Sequence, residues 1–300
     1  MNMISVIVCT YNRERYIVRC IERLTDTACR DYEVLVVDNN STDGTAELVR
    51  AFLKDRPELP VRYFFEPAQG LSNARNRGMK EAKGDVFVFL DDDAFVAGDY
   101  LSSIEAFLKK YPEVAAFGGP IEPLFEECPR PKWLCHWSMG WVSAYDMGRK
   151  VREFGGKAFP FGGNSGVRRE IVEKVGQFNP ELGRKGGNMD AGEEKDFYKR
   201  IRSLGGKILY CPEMRIRHVI TANRTTLEYV DRFADGVGVS ERRRTKADGT
   251  YTKRLLVEAV KWCASIVLFF WYLITLRPVC GATLVRFRAH VTRRLLASER

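Results

Sequence analysis

The chain has 300 residues, of which 45% are hydrophobic and 29% are charged, enough for one large domain or a domain with an appendage. Its formal net charge of +9 is unevenly spread, because residues 242–300 hold 13 of the 48 basic residues but only 3 of the 39 acidic ones. The first 241 residues are therefore close to neutral, which argues against nucleic-acid binding by the body of the protein.

Eight cysteines are scattered along the chain without a CxxC pair. Several lie in apolar segments, where a reduced cysteine behaves as a small hydrophobic residue. The first apolar run begins at Met3 and already has the character of a strand. We therefore expect no signal peptide and a reducing, cytoplasmic setting.

Apolar strands alternate with amphipathic helices over the first 118 residues. Continuous apolar runs, typical of strands buried on both faces, occur at 4–9, 34–37, 61–65, 86–90 and 114–117. Helically spaced apolar residues separate them, at 17–24, 48–53, 71–82 and 101–108. This alternation predicts an α/β fold with a mainly parallel central sheet flanked by helices, and it places ligands at the carboxyl ends of the strands.

The middle of the chain, residues 119–192, is rich in Gly, Pro and Trp and shows little periodicity. Irregular segments of this length inside a domain are usually functional loops. A helix that begins near Glu193 and strands at 207–211 and 215–219 complete the predicted body.

Three consecutive carboxylates, Asp91-Asp92-Asp93, follow the strand at 86–90. Adjacent carboxylates repel one another, and their pKa values rise when no cation is near. Hard oxygen ligands in one place suit Mg²⁺ or Mn²⁺, and Mg²⁺ commonly bridges carboxylates and substrate phosphates. A solvated acidic loop with Asp93 as a helix N-cap is the alternative, and the triplet alone leaves both interpretations open.

Three further segments belong to the same predicted edge of the sheet. Thr10–Arg13 follows the first strand, and Asp38–Thr45 follows the second. Asp38 could accept the imide N–H of a uracil and Tyr11 offers an aromatic face for a base, although hydroxyls in the second segment could simply cap a helix. Gly70–Gly78 opens a helix with small residues and two arginines, a setting that favours an anion such as a diphosphate.

The order of these motifs resembles that of the family 2 glycosyltransferases. The segments that carry the resemblance are Ile4–Arg13 (ISVIVCTYNR), Val36–Thr45 (VVDNNSTDGT), Gly70–Gly78 (GLSNARNRG), Phe89–Asp93 (FLDDD), Gly162-Gly163-Asn164, Gly192-Glu193-Glu194 and His218. The resemblance covers about residues 3–220. It implies the GT-A fold, which is Rossmann-like, and a metal-dependent, inverting transfer from a nucleotide-sugar donor, with a UDP-sugar favoured.

The resemblance also implies roles for individual residues. The side chains expected at the donor are Thr10, Tyr11, Asn12, Arg13, Asp38, Asn40, Gly70, Asn73, Arg75, Asp91 and Asp92. The expected ligands of Mg²⁺ or Mn²⁺ are Asp91, Asp93 and His218, with Asp93 as the direct ligand within the family's DxD motif. Without the resemblance, a lone histidine near a strand end would more often be structural.

Glu194 is the residue that the resemblance implies as general base. The family often has Glu-Asp where this chain has Glu193-Glu194, and the longer side chain moves the carboxylate outward by one methylene. Glu193 and Asp196 therefore stay as alternatives. Acidic residues in the first turn of a helix also interact favourably with its dipole, which explains them without any catalysis.

Gly163, Asn164 and Trp137 are the predicted contacts to the acceptor. Glycine permits a ligand to approach the backbone closely, and a tryptophan could form a platform for a sugar or a lipid acceptor. Trp133, Trp137 and Trp141 also recur at helical spacing, which a packing stripe explains more simply.

The C-terminal region contains an uncharged segment at 262–276. As a helix it would rise about 22 Å, short of the roughly 30 Å hydrocarbon core of a bilayer. Extension to residue 285 includes Arg277 and Pro278, and basic residues lie on both sides. We expect an interfacial or re-entrant element on the cytoplasmic face of the cell membrane, with burial against the body or a homodimer partner as the alternative.

The predicted organisation is a glycosyltransferase domain at 1–224, with a nucleotide-binding half (1–118) and an acceptor-binding half (119–224), followed by a basic, partly apolar helical region at 225–300. The predicted function is sugar transfer to a glycan or lipid-linked acceptor in cell-surface polysaccharide synthesis, without nucleic acid. The alternatives are a polyprenyl-phosphate sugar synthase and a non-catalytic carbohydrate- or membrane-binding relative. A nucleotidyltransferase is disfavoured because the segment after the first strand lacks a glycine-rich, lysine-bearing signature.

Overall fold

A computed structural model of the chain describes residues 3–156, 158–182 and 192–297. The strands are β1 (Ile4–Thr10), β2 (Tyr32–Asp38), β3 (Val61–Phe65), β4 (Val86–Asp91), β5 (Ala94–Val96), β6 (Val114–Gly118), β7 (Ile121–Leu124), β8 (Arg152–Glu153), β9 (Asn164–Arg168), β10 (Lys207–Tyr210) and β11 (Ile216–Val219). The α-helices are α1 (Ile17–Thr25), α2 (Thr45–Asp55), α3 (Leu71–Glu81), α4 (Tyr100–Lys110), α5 (Arg169–Val175), α6 (Glu193–Ser203), α7 (Leu227–Ala247), α8 (Tyr251–Ile274) and α9 (Pro278–Leu296). Short 3-10 helices span His136–Val142 and Ala222–Thr225.

The main sheet has eight strands in the order β3-β2-β1-β4-β9-β6-β10-β8. Strand β1 pairs in parallel with β2 and β4, β2 pairs in parallel with β3, and β6 pairs in parallel with β10. The predicted α/β fold with a mainly parallel sheet is thus confirmed. The continuous apolar runs in β1, β2 and β4 are buried along almost their whole length, as expected for strands covered on both faces.

Two strands of this sheet, β8 and β9, were not predicted from the sequence, and β9 is the one in the interior of the sheet. It lies between β4 and β6 and is antiparallel to both. Its sequence, NSGVR, has no run of apolar residues that would mark a buried strand. Gly166 is needed at its centre, because a Cβ at that position would overlap the ring of Phe117.

The register of the sheet brings the three segments after β1, β2 and β4 to one edge. Thr10 lies beside Asp38 in the pairing of β1 with β2, and Cys9 lies beside Asp91 in the pairing of β1 with β4. A second, three-stranded sheet has the order β5-β11-β7. In it, His218 of β11 lies opposite Ala94 of β5, one residue beyond the aspartate triplet.

The described residues form two compact units. One comprises Met1–Glu122 and Tyr145–His218, and the other comprises Pro123–Ala144 and Val219–Arg300. In the first unit, α6 buries Phe197, Tyr198 and Ile201 in the same apolar cluster as Phe87 and Phe89 of β4.

The second unit is built on α7, α8 and α9, and its core is aromatic. Trp141 is 9% exposed and stacks on Phe287 with ring centroids 4.2 Å apart, while Trp133, 4% exposed, packs against Trp141. Trp137 is 60% exposed. The packing explanation of the tryptophan stripe therefore holds for Trp133 and Trp141 and not for Trp137.

Helix α8 buries several polar residues and exposes most of its large apolar ones. Glu258 is buried and accepts hydrogen bonds from Arg254 of its own helix and from Arg288 and Thr292 of α9. The opposite face is exposed and carries Leu256, Val260, Val267, Phe270, Trp271 and Ile274. In the described ranges α8 is the one helix long and apolar enough to cross a membrane, with a mean hydropathy of 1.6 over its best window.

The aromatic core of the second unit yields a stability prediction. Trp141→Ala should lower the free energy of unfolding of this unit by about 3–5 kcal/mol, because a large buried ring is lost and a cavity remains. Trp137→Ala is the matched control and should change it by about 0.5 kcal/mol or less, as is usual at an exposed position. Urea unfolding followed by circular dichroism at the helix band measures both. Equal losses in the two variants would contradict the described core.

Candidate active site

Two residues of the aspartate triplet are buried and Asp91 is partly buried. Asp92 and Asp93 are 7% and 4% exposed, so the alternative of a solvated acidic loop is wrong. Burial, followed by the charge of Asp93, raises the pKa of Asp91 and raises that of Asp92 to about 8. Carboxylates crowded together in a poorly solvated place favour a cation in their midst.

His218 completes a set of three side chains that could hold a metal ion. One ligand atom each from Asp91, Asp93 and His218 lies within 4.8 Å of the others. The Nε2 atom of His218 is 3.1 Å from Oδ1 of Asp93, and its buried Nδ1 has no hydrogen-bond partner within the described ranges. Two carboxylates and an imidazole suit a divalent cation such as Mn²⁺ or Mg²⁺.

Arg13 supplies a positive charge to the same cluster. Its guanidinium lies 3.4 Å from Asp92 and 3.5 Å from Asp93. Although burial opposes the charged form, these carboxylates raise the pKa of Arg13. The side chain is 35% exposed, so it can reach a ligand at the edge of the sheet while it balances the triplet.

Arg75 of α3 is buried against two carboxylates of α6. Its Nη2 is 3.0 Å from Oε1 of Glu194, and its Nη1 is 3.5 Å from Oε1 of Glu193. The guanidinium also lies over the rings of Phe89 and Phe178. Glu194 and Glu193, in spite of the opposing effect of burial, raise the pKa of Arg75. In this arrangement Arg75 holds the two glutamates, and the predicted contact with a nucleotide stays a prediction.

The three candidate bases differ in their surroundings. Glu193 is 1% exposed, whereas the side chain of Glu194 is 21% exposed. Asp196 forms an ion pair of 2.9 Å with Arg200, one turn along the same helix. Glu194 is held in place by Arg75 and is partly exposed, so a ligand could come within hydrogen-bond reach of its carboxylate.

Two glycines pack directly on these carboxylates. A Cβ at Gly162 would overlap the carboxylate of Glu194, and a Cβ at Gly163 would overlap that of Asp91. The turn that precedes β9 therefore lies against both Glu194 and the aspartate triplet. Gly163 was predicted to contact the acceptor. In the structure, the absence of a side chain at Gly163 leaves room for the carboxylate of Asp91.

Asp38 has a different environment from the predicted one. It is 0% exposed, and its two oxygens accept hydrogen bonds from the hydroxyl of Tyr63 and from the backbone N–H of Ser41. The side chain has no surface with which to reach a base. We therefore revise the prediction that Asp38 binds uracil and assign it to holding the loop after β2.

The other predicted donor residues lie in the loops at this edge. Tyr11 is 42% exposed, so its ring is available to a ligand. The side-chain oxygen of Asn12 accepts a hydrogen bond from the backbone N–H of Thr42, which ties the loops after β1 and β2 together. Thr10 is buried at the end of β1, and Asn40 has a positive φ of 66°.

The turn into α3 depends on glycine. Gly70 has φ 138°, a conformation that L-residues rarely adopt, and its N–H donates to the side chain of Asn39. Asn73, in the first turn of α3, donates to the carbonyl of Gln69. These bonds fix the N-terminus of the helix.

Asn164 is a structural residue. It is 0% exposed, its amide donates to the carbonyls of Pro120 and Met214, and its oxygen accepts from the hydroxyl of Tyr100. A side chain so enclosed does not line an acceptor site, and the prediction for Asn164 is corrected accordingly.

Sequence reasoning missed two features of the site. The link from Arg75 to α6 joins residues 119 positions apart, and no local pattern could indicate it. The need for glycine at 162 and 163 did have a signal, since paired glycines outside a hairpin often mark a close approach of the backbone to another group.

Comparisons with known proteins agree with the fold and the motifs. The sequence model of the glycosyl transferase family 2 matches residues 5–176. A glucosyl-dolichyl phosphate glucuronosyltransferase from Haloferax volcanii is 26% identical over 235 residues, which are 76% of this chain and 72% of that protein. The succinoglycan biosynthesis protein ExoM from Rhizobium meliloti is 28% identical over 240 residues, 78% of this chain and 72% of that protein.

A solved structure extends the likeness to the whole chain. The mannosyltransferase PcManGT from Pyrobaculum calidifontis, in complex with GDP-Man and Mn²⁺, superposes with a TM-score of 0.61. The superposition covers 99% of this chain and 88% of that chain at 18% sequence identity, so it is evidence of a common fold.

The packing of Gly163 on Asp91 gives a prediction for metal binding. Gly163→Ala should weaken the binding of Mn²⁺ at least about tenfold, because the new methyl group displaces a predicted ligand. Gly155→Ala is the matched control, since a Cβ there would meet open space. Titration of free Mn²⁺ by electron paramagnetic resonance measures both. Wild-type affinity in Gly163→Ala would show that Asp91 is not a ligand.

Proposed function

The chain belongs to family 2 of the glycosyltransferases and has a GT-A-like fold, and we propose that it transfers a sugar from a nucleoside diphosphate sugar, with inversion, to a lipid-linked or glycan acceptor. The observation that carries the proposal is the cluster of Asp91, Asp93 and His218 at the edge of the sheet, beside the Arg75–Glu194 pair. Sugar transfer in cell-surface polysaccharide synthesis fits these groups, since it needs a cation, an anion-binding edge and a base.

The donor would lie across the ends of β1, β2 and β4. Asp91, Asp93 and His218 would hold Mn²⁺ or Mg²⁺, which when bound stabilises the charge on the departing diphosphate. Tyr11 offers its exposed ring to the base, and Arg13 offers a guanidinium to the phosphates. The corrected role of Asp38 leaves the preference for uridine to the resemblance alone, so the nucleotide has to be found by experiment.

Glu194 would act as the general base. As the acceptor oxygen attacks the anomeric carbon, its proton passes to the carboxylate of Glu194 and the bond from the anomeric carbon to the diphosphate breaks. One displacement of this kind inverts the anomeric configuration and needs no nucleophile from the protein. Arg75 fixes the position of the carboxylate through the 3.0 Å contact, and it is a positioning residue.

A lipid-linked acceptor is supported by the relatives and by the second unit. The relative from Haloferax volcanii is named for transfer to glucosyl-dolichyl phosphate, a sugar already carried by a lipid. That name favours a lipid-linked sugar as acceptor over a bare polyprenyl phosphate, the acceptor of a polyprenyl-phosphate sugar synthase. The succinoglycan protein supports a glycan product.

We also propose that α8 lies on the cytoplasmic face of the membrane and does not cross it. Its outer face is apolar, as in helices at a bilayer surface. Helix α9 packs along α8 and carries Arg286, Arg293 and Arg294, paired with carboxylates of α7. A crossing α8 would draw these groups into hydrocarbon, at a large cost in free energy.

Lipid fits the exposed face of α8 better than a second copy of the chain does. The charged residues that border the face, Lys253, Lys261 and Arg277, are all basic. In a symmetric dimer the same surface faces itself, so these cations would oppose one another. An anionic leaflet complements them.

The donor site is tested by thermal shift. UDP or GDP at about 100 times its dissociation constant should stabilise the wild type by about 2.7 kcal/mol when Mn²⁺ is present. Asp93→Ala should abolish this metal-dependent gain. Asp85→Ala, in the exposed turn before β4, is the matched control and should keep it. If no nucleotide stabilises the wild type in the presence of Mn²⁺, the donor proposal is wrong.

The base is tested by Glu194→Gln. This variant should keep its affinity for the donor and lose at least about 100-fold in kcat, because the amide cannot accept the proton. Nucleotide release from the sugar donor in the presence of acceptor measures kcat, and thermal shift measures donor binding. Asp196→Asn, whose carboxylate pairs with Arg200, should keep most of its turnover. Turnover retained in Glu194→Gln and lost in Glu193→Gln would move the role to Glu193.

A further inference from the structure

A groove in the second unit has the chemistry of a binding site. It has a volume of about 560 Å³ and lies between the 3-10 helix at His136–Val142, α8 and α9. Sites for small molecules are commonly concave, of about 300–1,000 Å³, and largely apolar with a few placed polar groups. The groove meets each of these conditions.

The walls of the groove are mostly apolar. Trp137 and Trp141 line one side, and Val267 and Leu268 of α8 and Leu284 of α9 line the rest. Trp137 is 60% exposed and Val267 is 67% exposed, so two large apolar side chains are left open to solvent. Burying them under a hydrocarbon would release about 25 cal/mol for each Å² of apolar surface removed from water.

Among the described residues, no carboxylate lines the groove and two cations do. They are Lys261 of α8 and Arg288 of α9. Arg288 is bound to Glu258 at 3.1 Å, whereas Lys261 has no carboxylate within ion-pair distance in the part of the chain that the structure describes. Burial, followed by the charges of Arg254 and Arg288, lowers the pKa of Lys261, while Glu258 and Glu241 oppose this shift.

The apolar wall continues onto the outer face of α8. Val267 belongs both to the groove and to the exposed face that also carries Val260, Phe270 and Ile274. A hydrocarbon chain longer than the groove could therefore pass from it to this face without crossing polar surface. A small apolar metabolite would use the groove but would gain nothing from that continuity.

We propose that the groove binds the phosphate-bearing end of a polyprenyl-type lipid, with the first isoprene units against Trp137 and Val267 and the phosphate at Lys261. The inference rests on the proposed function, in that such a lipid is the carrier of the acceptor sugar. A single lipid phosphate fits the arrangement, because one anionic group meets one cation that lacks an ion-pair partner among the described residues.

The proposal is tested with geranylgeranyl phosphate as the probe, titrated into the full chain at a fixed concentration of nonionic detergent. Geranylgeraniol, which lacks the phosphate, and inorganic phosphate, which lacks the chain, are the comparison ligands. The wild type should bind geranylgeranyl phosphate about tenfold or more tightly than the alcohol, since one charge-assisted contact is worth about that factor. Inorganic phosphate alone should not bind measurably.

Two substitutions distinguish binding of the lipid phosphate from binding of the hydrocarbon chain. Lys261→Gln should reduce the affinity for the phosphate to that for the alcohol, while Lys253→Gln, a lysine of α8 outside the groove, should not. Trp137→Ala should weaken phosphate and alcohol alike. A phosphate preference that survives Lys261→Gln, or a chain affinity that survives Trp137→Ala, would overturn the assignment.

Two further outcomes show which of the proposals has failed. If the wild type gains stability from a nucleotide with Mn²⁺ but does not prefer geranylgeranyl phosphate to the alcohol, the groove proposal fails and the donor proposal stands. If vesicles of phosphatidylglycerol bind with the same dependence on Lys261 while geranylgeranyl phosphate does not, the groove is part of a general lipid surface, and the proposal is also overturned.

Discussion

The burial of neighbouring carboxylates at the end of β4 is the constraint on which the rest of the site depends. Strand β4 lies between β1 and β9, so the residues that leave it have little access to water. Charges so close together in a poorly solvated place are costly unless cations balance them. Arg13 supplies part of that balance, and the imidazole of His218 approaches from another element to 3.1 Å from Asp93. A divalent cation between Asp91 and Asp93 would supply more, and it would hold a diphosphate at the same time.

A second group of buried charges is centred on a cation and is joined to the first. The guanidinium of Arg75 lies in the interior over Phe89 of β4, and α6 provides the two carboxylates that balance it. The adjacent glycines 162 and 163 then bring one turn of the backbone against Glu194 and Asp91 together. The positions of the proposed base and of the proposed metal ligands are therefore set by one packing arrangement, and a shift of the turn would disturb both.

The sequence predicted those parts of the protein in which local pattern and tertiary position agree. Apolar runs ended where strands end, so the edge that carries Asp91 and His218 could be placed from the sequence. Strand β9 was missed because Gly166 is required by contact with a neighbouring strand, which leaves no periodic signal. Asp38 was misassigned for a similar reason, because a carboxylate at the end of a strand can face either a ligand or a neighbouring side chain. In the structure it accepts a hydrogen bond from Tyr63 on β3. Local sequence patterns carry no information about packing partners that are distant in the chain.

In the second unit, the distribution of polar and apolar residues on α8 is a clue to surroundings outside the chain itself. Soluble helices bury apolar residues and expose charged ones, whereas α8 buries Glu258 and Arg254 and exposes Leu256 and Phe270. This inversion fits our proposal that the outer face of α8 lies on a membrane surface. The exposed arginines of α9 pair with carboxylates of α7, so under the same proposal lipid would cover one side of the unit and not the other. A surface of lipid has that one-sided character, and a groove that opens from the apolar side with a cation in its lining is suited to select one phosphate-bearing lipid from it.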